Sequence, residues 1–138
     1  MGEALDAVRR FYDTFAAGDL ESGDANFADD CRFVMPPGPL TKAEHRAMGQ
    51  AFHNALPDAH MVIDHVLDGG DEVFVEGRFV GTHTGDLMSP QGTIPASGNK
   101  IELRFADYFK TSGGLITDHR TYWDQVDMAT QLGAAPPG

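Results

Sequence analysis

The fold is decided by residues 101–124, which read IELRFADYFKTSGGLITDHRTYWD. Apolar residues occupy alternate positions in both halves, which is the period of a strand with one buried face and one solvated face. A glycine-containing turn at 110–114 separates the halves, so the segment predicts an antiparallel hairpin. Asp107 falls in register with the buried side chains of the first half, and His119 with those of the second. The hairpin is therefore expected to bring a carboxyl and an imidazole to one apolar wall.

The composition predicts a single acidic domain. The chain has 138 residues, of which 41% are hydrophobic, and this is enough for a core with a ligand cavity. A net charge of −11 disfavours nucleic acid and anionic membranes as partners. No apolar run approaches the roughly 18 residues of a membrane span, and the first residues do not resemble a signal peptide. We expect a cytoplasmic protein without an internal disulfide, because Cys31 is the only cysteine.

Helices are predicted in the first half of the chain. Apolar residues recur at three- and four-residue spacing within 5–15, which is typical of a helix packed on a core. Gly18 is placed to end that helix, and Asp19 to cap a second one that continues to about residue 27. Thr41 and Glu44 form a capping-box pattern, so a third helix is expected to begin at residue 42.

Strands are predicted around and after the third helix. Residues 31–35 form a short strand, and 61–67 and 72–84 form a hairpin that precedes the opening one. Residues 85–100 contain prolines and glycines with little periodicity, which predicts a long loop. Because such loops often close over a site, this one is a candidate lid.

The predicted elements combine into one domain. A short helix is expected at 127–132, and residues 134–138 are expected to form a flexible tail after a domain that covers 1–133. The predicted fold class is α+β, with a curved antiparallel sheet whose N-terminal helices enclose a cone-shaped pocket. Such a pocket would take an apolar small molecule.

Three polar side chains are candidate catalytic residues. Asp107 on an apolar face would have its pKa raised by desolvation toward a range useful for proton transfer, or it would be a structural carboxylate held by hydrogen bonds. His119 is either its partner or a satisfied core histidine. His83, on the inward face of its strand, would donate to an enolate oxygen or pack.

The substrate-binding wall is predicted from inward positions. Tyr12 is either a pocket hydroxyl or part of the core, and Thr121 either positions substrate or fills space. The other predicted wall residues are Met35, Met48, Phe52, Phe79, Met88, Phe105, Phe109 and Trp123. The spacing of the histidines offers no third ligand for a pair, so no metal is expected.

Several segments together resemble the SnoaL-like polyketide cyclases, a family of the nuclear transport factor two-like superfamily. They are FYDTFAAGDLES at 11–22, FADDCRF at 27–33, GTHTG at 81–85, GGLITDHR at 113–120 and QLG at 131–133. The resemblance implies a curved-sheet cone fold and an intramolecular aldol ring closure without metal or organic cofactor. It also implies a homodimer formed through the outer face of the sheet.

The resemblance places unusual residues at the site. The catalytic aspartate of the cyclases corresponds to Thr121, and Asp107 stands where the cyclases have a histidine. The ketosteroid isomerases of the superfamily carry a carboxylic acid at about the position of Asp107, but their base would correspond to Met35. Three functions therefore remain open: a cyclase or isomerase, a binding module that holds an apolar ligand without converting it, and a hydrolase with water activated by Asp107.

Overall fold

The structure of the chain, a computed structural model, describes residues 2–36, 38–89 and 92–134. The predicted tail at 134–138 lies outside the described residues except for Ala134. The elements in chain order are α1 (Glu3–Ala16), α2 (Leu20–Asp24), β1 (Phe27–Met35), β2 (Gly38–Leu40), α3 (Lys42–Ala55), β3 (His60–Asp68), β4 (Glu72–Thr82), β5 (Leu87–Ser89), β6 (Gly92–Ile94), β7 (Lys100–Ser112), β8 (Leu115–Trp123) and α4 (Gln125–Gln131).

The main sheet is curved and has six strands in the order β2-β1-β8-β7-β4-β3. Helices pack on one of its faces, which confirms the predicted α+β class. Neighbouring strands are antiparallel except for β1 and β8, which are parallel. The sequence pattern does not indicate this pair, because β1 and β8 are joined only through the rest of the domain. No tight turn fixes their relative direction, as one does in a hairpin.

The hairpin of β7 and β8 is longer than the sequence pattern suggested. Its turn is Gly113–Gly114, with φ of 59° and 84°, and the flanking Ser112 and Leu115 pair directly. Positive φ at both central residues is the geometry of a type I′ hairpin turn, and glycine adopts it without strain. The register places Asp107 opposite Thr121 and Phe109 opposite His119.

The helix termini follow the predicted capping. Thr41 Oγ1 accepts from the Glu44 amide at 3.1 Å, and Glu44 Oε1 accepts from the Thr41 amide at 2.9 Å, so the capping box is confirmed. Asp19 caps α2 by accepting from the Ser22 amide at 3.1 Å, and Gly18 has φ of 77°. These bonds satisfy amide groups that a helix leaves free at its start.

The second helix is shorter than predicted, and β1 begins earlier. The Asn26 side-chain amide donates to the carbonyl oxygens of Ser22 and Gly23 at 3.2 and 3.1 Å, which closes α2. Phe27, which we expected to end this helix, instead begins β1 and pairs with Ile116. A polar side chain that bonds the last carbonyls is the local reason, because it replaces the bonds of a further turn.

The segment at 85–100 is not the loop without secondary structure that we expected. Leu87–Ser89 and Gly92–Ile94 pair as a separate two-stranded sheet. Leu87 is 4% exposed and belongs to a core cluster that also contains Leu56 and Ile101. The apolar side chain of Leu87 therefore holds the segment against the domain. Residues 90 and 91 lie outside the described part.

The outer face of the sheet carries charged side chains, as the alternation predicted, but it also exposes Val34, Phe74 and Tyr122. Arg78 binds Asp64 at 2.9 Å and Glu102 at 3.0 Å across three neighbouring strands. These exposed pairs contribute little stability in water. The homodimer expected through this face stays a prediction. None of the helices in the described segments is long and apolar enough to cross a bilayer.

Gly77 on β4 is required by close packing, which makes it a test of the fold. A Cβ at this position would collide with the carbonyl oxygen of Val62 and would lie 2.9 Å from the Phe105 ring. Gly77→Ala is expected to lower the free energy of unfolding by about 1–3 kcal/mol, measured by urea denaturation. Gly38→Ala is the matched control, because nothing lies within 4 Å of a Cβ there. Equal stabilities of the two variants would contradict the packing described.

Candidate active site

A cavity lies between the helices and the concave face of the sheet. Its volume is about 130 Å³, close to that of a cavity that holds one benzene molecule. Exposed Asp19 and Arg46 mark its mouth beside α2 and α3. Its lining is mainly apolar and includes seven of the predicted wall residues, namely Met35, Met48, Phe52, Phe79, Phe105, Thr121 and Trp123.

Three predicted wall residues lie elsewhere. Met88 on β5 is 65% exposed and does not line the cavity. Phe109 is fully buried behind the wall, where its ring stacks on His119 at 4.1 Å between centroids. Tyr12 is 4% exposed and also stands behind the wall, in the main core cluster. Strand alternation placed Phe109 on the correct face of the sheet. It does not show whether a side chain on that face lines the cavity or is covered by other core residues.

Asp107 is the buried carboxyl of the cavity wall. It is 5% exposed, and its Oδ2 accepts a hydrogen bond from the Tyr12 hydroxyl at 2.5 Å. Its Oδ1 has no hydrogen bond of ordinary geometry within the described part of the chain. Burial raises the pKa of Asp107 above the ordinary value, and the neighbouring His119 and the hydrogen bond from Tyr12 oppose this only in part. A carboxyl of this kind exchanges protons more readily near neutral pH than an exposed one.

His119 is held in one orientation and one tautomer. Its Nδ1 lies 3.2 Å from the carbonyl oxygen of Tyr108, and its Nε2 lies 3.1 Å from Thr121 Oγ1. A carbonyl oxygen only accepts, so Nδ1 carries the proton in the neutral ring and Nε2 accepts from the Thr121 hydroxyl. Burial lowers the pKa of His119, which favours this neutral form. The hairpin therefore places Asp107 and His119 on one wall, as predicted, with Thr121 beside both.

His83 does not lie at the cavity, so the predicted donor to an enolate oxygen is corrected. Its side chain is fully buried beneath the segment at 85–100, where Nδ1 bonds Ser97 Oγ at 2.8 Å. The strand ends at Thr82, and the backbone of His83 bonds Asn99 and Gly98 instead. The prediction continued the inward–outward alternation to His83, one residue beyond the end of the strand. The side chain of His83 therefore packs in another part of the core and not at the cavity.

His45 is a site residue that the sequence reasoning missed. It is 8% exposed, lines the cavity from α3 and stacks on Phe33 at 4.3 Å between ring centroids. Its ring also meets His119 edge-on at 5.5 Å. Burial lowers the pKa of His45 to about 3, so the ring is neutral at physiological pH. Its position on the inward stripe of α3 was the available signal, but that stripe predicts core packing equally well.

The titratable groups around the cavity do not converge as metal ligands do. In residues 2–36, 38–89 and 92–134, no three His, Cys, Asp or Glu side chains form a group that could hold a metal ion. The polar groups of the inner wall are instead single side chains, Asp107, His119, Thr121 and His45, which stand among aromatic and aliphatic neighbours.

Comparison with known families identifies the domain. A family model described as SnoaL-like domain matches residues 8–119. The chain belongs to the SnoaL-like domain family. The resemblance read from the sequence motifs is thus confirmed. A search of curated protein sequences gives no match.

Solved structures share the fold of this SnoaL-like protein. AclR, a proposed hydroxylase from Streptomyces galilaeus, is 14% identical with a TM-score of 0.83, and the match covers 97% of this chain and 83% of AclR. A proposed SnoaL-like polyketide cyclase from Jannaschia sp. CCS1 is 19% identical with a TM-score of 0.80 and coverages of 97% and 94%. IdmH, a proposed polyketide cyclase from Streptomyces antibioticus, is 26% identical with a TM-score of 0.77 and coverages of 94% and 98%. Different reactions are thus described for one fold, so the reaction must be argued from the site.

Proposed function

We propose that this SnoaL-like protein is a cofactor-independent cyclase or isomerase that transfers a proton next to the carbonyl group of an apolar substrate. The observation that carries the proposal is the environment of Asp107. One carboxyl oxygen is anchored by Tyr12, and the other has no ordinary partner in the described residues. The Asp107 side chain belongs to the wall of an apolar cavity. A desolvated carboxyl beside an apolar site is a recurring form of catalytic acid or base.

The site residues can be assigned to the steps of such a reaction. The Asp107 carboxylate removes the proton from the carbon next to the substrate carbonyl, and the electron pair moves to the carbonyl oxygen to form an enolate. His45, neutral and at the cavity wall, donates a hydrogen bond to that oxygen. In an isomerisation Asp107 returns the proton to another carbon. In an aldol closure the enolate carbon bonds to a second carbonyl carbon, and the resulting alkoxide takes the proton back.

The cavity favours a substrate with an aromatic or alicyclic ring. Its volume of about 130 Å³ accommodates roughly one enclosed ring, so a larger molecule would extend toward the mouth. Phe52, Phe79 and Phe105 supply aromatic surface around this volume, which suits flat apolar ligands. The charged mouth residues Asp19 and Arg46 would then face the more polar end of such a molecule.

The proposal is tested first by proton exchange in the wild-type protein. In D₂O, the protein is expected to accelerate deuterium incorporation into 2-tetralone, a bicyclic apolar ketone, and to leave acetone at the uncatalysed rate. The reason is that only the bicyclic ketone gains binding energy from the apolar wall. Mass spectrometry of the recovered ketones measures both rates. Equal acceleration of the two ketones would contradict reaction inside the cavity.

A pair of methionine variants tests the location of the ligand. Met48 lines the cavity, whereas Met88 is exposed outside it. Met48→Trp is expected to weaken 2-tetralone binding by about tenfold or more, because the larger side chain occupies ligand space. Met88→Trp is the matched control and is expected to bind as wild type does. Isothermal titration calorimetry measures both, and equal weakening by the two variants would contradict the assigned cavity.

A second function is supported by Thr121. By the motif resemblance this residue corresponds to the catalytic aspartate of the cyclases, and a hydroxyl does not ionise near neutral pH. A protein of this kind could hold an apolar ligand without converting it. Tight binding of 2-tetralone and other apolar ketones without any exchange would favour the binding function over the enzyme.

A further inference from the structure

Three polar side chains lie side by side in the cavity wall. Thr121 is directly opposite Asp107 in the β7–β8 register and two residues from His119 on its own strand. All three are buried, with exposures of 9%, 5% and 2% for Thr121, Asp107 and His119 respectively. The hydroxyl of Thr121 therefore stands between the carboxyl and the imidazole.

The direction of the hydrogen bond between Thr121 and His119 is fixed by the backbone. His119 Nδ1–H donates to the backbone carbonyl of Tyr108, which leaves Nε2 to accept from the Thr121 hydroxyl. On the other side the Tyr12 hydroxyl donates to Asp107 Oδ2. No hydrogen bond joins Thr121 to Asp107 Oδ1 among the described residues. The two residues are nevertheless direct cross-strand neighbours, which places the Thr121 hydroxyl on the same face as the carboxyl.

We propose that the Thr121 hydroxyl relays a proton between Asp107 and His119, so that the two side chains act as one acid/base unit. In one state Asp107 is neutral, with its proton on Oδ1, and His119 is neutral. Transfer moves that proton to Thr121 Oγ1 while the proton of the hydroxyl moves to His119 Nε2. The result is a carboxylate, an unchanged hydroxyl and an imidazolium, so atoms and charge balance.

The surroundings leave few other routes for this proton. Phe109 and Phe11 flank the His119 ring, with centroids at 4.1 and 6.1 Å, and neither ring accepts a proton. The other titratable groups that face the three polar side chains are Tyr12 from α1 and His45 from α3, with Asp118 near His119 on β8. The hydroxyl of Tyr12 is committed to Asp107, and the His45 ring meets His119 edge-on.

In the proposed reaction, the relay would make Thr121 a positioning residue. This catalytic role rests on the proposed function. A threonine cannot replace an aspartate as a base, but it can connect a base on the neighbouring strand to a histidine. After Asp107 removes a substrate proton, transfer to His119 would return the carboxyl to its ionised form inside the cavity. The site would then hold the charge on an imidazolium that is bonded at both nitrogens.

The relay is tested in the ligand-free protein by NMR with ¹⁵N-labelled histidine. The Nε2 signal of His119 is expected to show a hydrogen-bonded acceptor in wild type and in Thr121→Ser, which keeps the hydroxyl. It is expected to shift to the position of an unbonded nitrogen in Thr121→Val, which has nearly the same shape. Thr117→Val is the matched control, because this hydroxyl lies on the same strand but bonds Lys110 O at 3.3 Å. The control is expected to leave the His119 signal unchanged.

A second comparison separates a relay from attraction through space. Asp107→Asn is expected to shift the His119 Nε2 signal in the wild-type and Thr121→Ser backgrounds, and by a several-fold smaller amount in Thr121→Val. An equal shift in all three backgrounds would overturn the proposal, since the coupling would then not need the hydroxyl. An unchanged Nε2 signal in Thr121→Val would overturn it as well.

Exchange kinetics give an independent readout. Thr121→Val is expected to slow exchange into 2-tetralone about tenfold or more and to change its pH profile, and Thr121→Ser is expected to restore both. If wild type catalyses no exchange, the proposed function fails while the NMR result still decides the relay. If exchange occurs but the NMR coupling is absent, Asp107 acts without Thr121 and only the relay fails.

Discussion

Asp107→Asn is expected to slow deuterium exchange into 2-tetralone by about 10²- to 10⁴-fold, which is the usual contribution of a positioned acid or base. The amide keeps the size of the side chain, and its oxygen can still accept from Tyr12, so the fold and the cavity are expected to persist. The variant cannot accept a proton at neutral pH, which removes the step assigned to the free oxygen. The rate is measured by mass spectrometry, and ligand binding by the emission of Trp123, the only tryptophan, which lines the cavity.

The control for this variant is Tyr12→Phe. Removal of the phenol takes away the hydrogen bond that lowers the Asp107 pKa. The pKa is therefore expected to rise further, and the pH profile of exchange to move to higher pH with the activity at its optimum partly kept. An exchange rate of Asp107→Asn equal to that of wild type would contradict the catalytic assignment. Loss of both exchange and ligand binding, with a lowered melting temperature, would instead assign Asp107 a structural role.

The second large effect concerns the stability of the protein in acid. The pKa of His45 in the folded protein is about 3, against 6.5 in an unperturbed histidine, because burial disfavours the charged ring. Between these values the unfolded chain binds the proton and the folded one does not. The contribution of the neutral His45 ring to the stability of the folded protein is therefore complete above pH 6.5, and it is lost as the pH falls toward 3. A shift of this size corresponds to a loss of roughly 4–5 kcal/mol.

His45→Phe is expected to remove most of this acid sensitivity. The phenyl ring can keep the stacking on Phe33 and has no proton to bind. Urea unfolding between pH 8 and pH 4 measures the free energy of unfolding of both proteins. They are expected to agree most closely at pH 8, and the variant is expected to be the more stable at pH 4. If the free energies of unfolding of the two proteins changed with pH in parallel, His45 would not be the cause of the acid sensitivity.

Two other buried groups of the site also make stability depend on pH. The lowered pKa of His119 acts in the same direction as that of His45. The raised pKa of Asp107 acts in the opposite direction, because its contribution is present at low pH and is lost as the pH rises through the folded-state value. Both groups are present in wild type and in His45→Phe, so the difference between the two curves reports mainly on His45.

The helix caps and the main strands could be predicted because their causes are local. The capping box at Thr41 and Glu44 depends on two side chains three residues apart, and the Gly113–Gly114 turn depends on φ values that glycine tolerates. The segment at 85–100 could not be predicted in the same way. Its two short strands carry too few residues for a periodic pattern, and Leu87 is held by distant parts of the chain.

The part of the candidate site that depends on local structure was predicted from the sequence. Asp107 and His119 share a face because strand alternation is a property of the backbone, and the structure places both at the cavity wall. His83 was misplaced because its strand ends one residue before it. His45 was missed because an inward helix position does not show whether a side chain meets a cavity or a packed core.

The sequence by itself determined the alternation of residues 101–124, the hairpin turn and the placing of a carboxyl and an imidazole on one apolar face. These follow from contacts between near neighbours in the chain. Only the tertiary structure decided that Tyr12 bonds one oxygen of Asp107, that the Tyr108 carbonyl sets the tautomer of His119, and that Thr121 stands between them. Such bonds depend on register and on packing between elements distant in sequence, which no local pattern specifies.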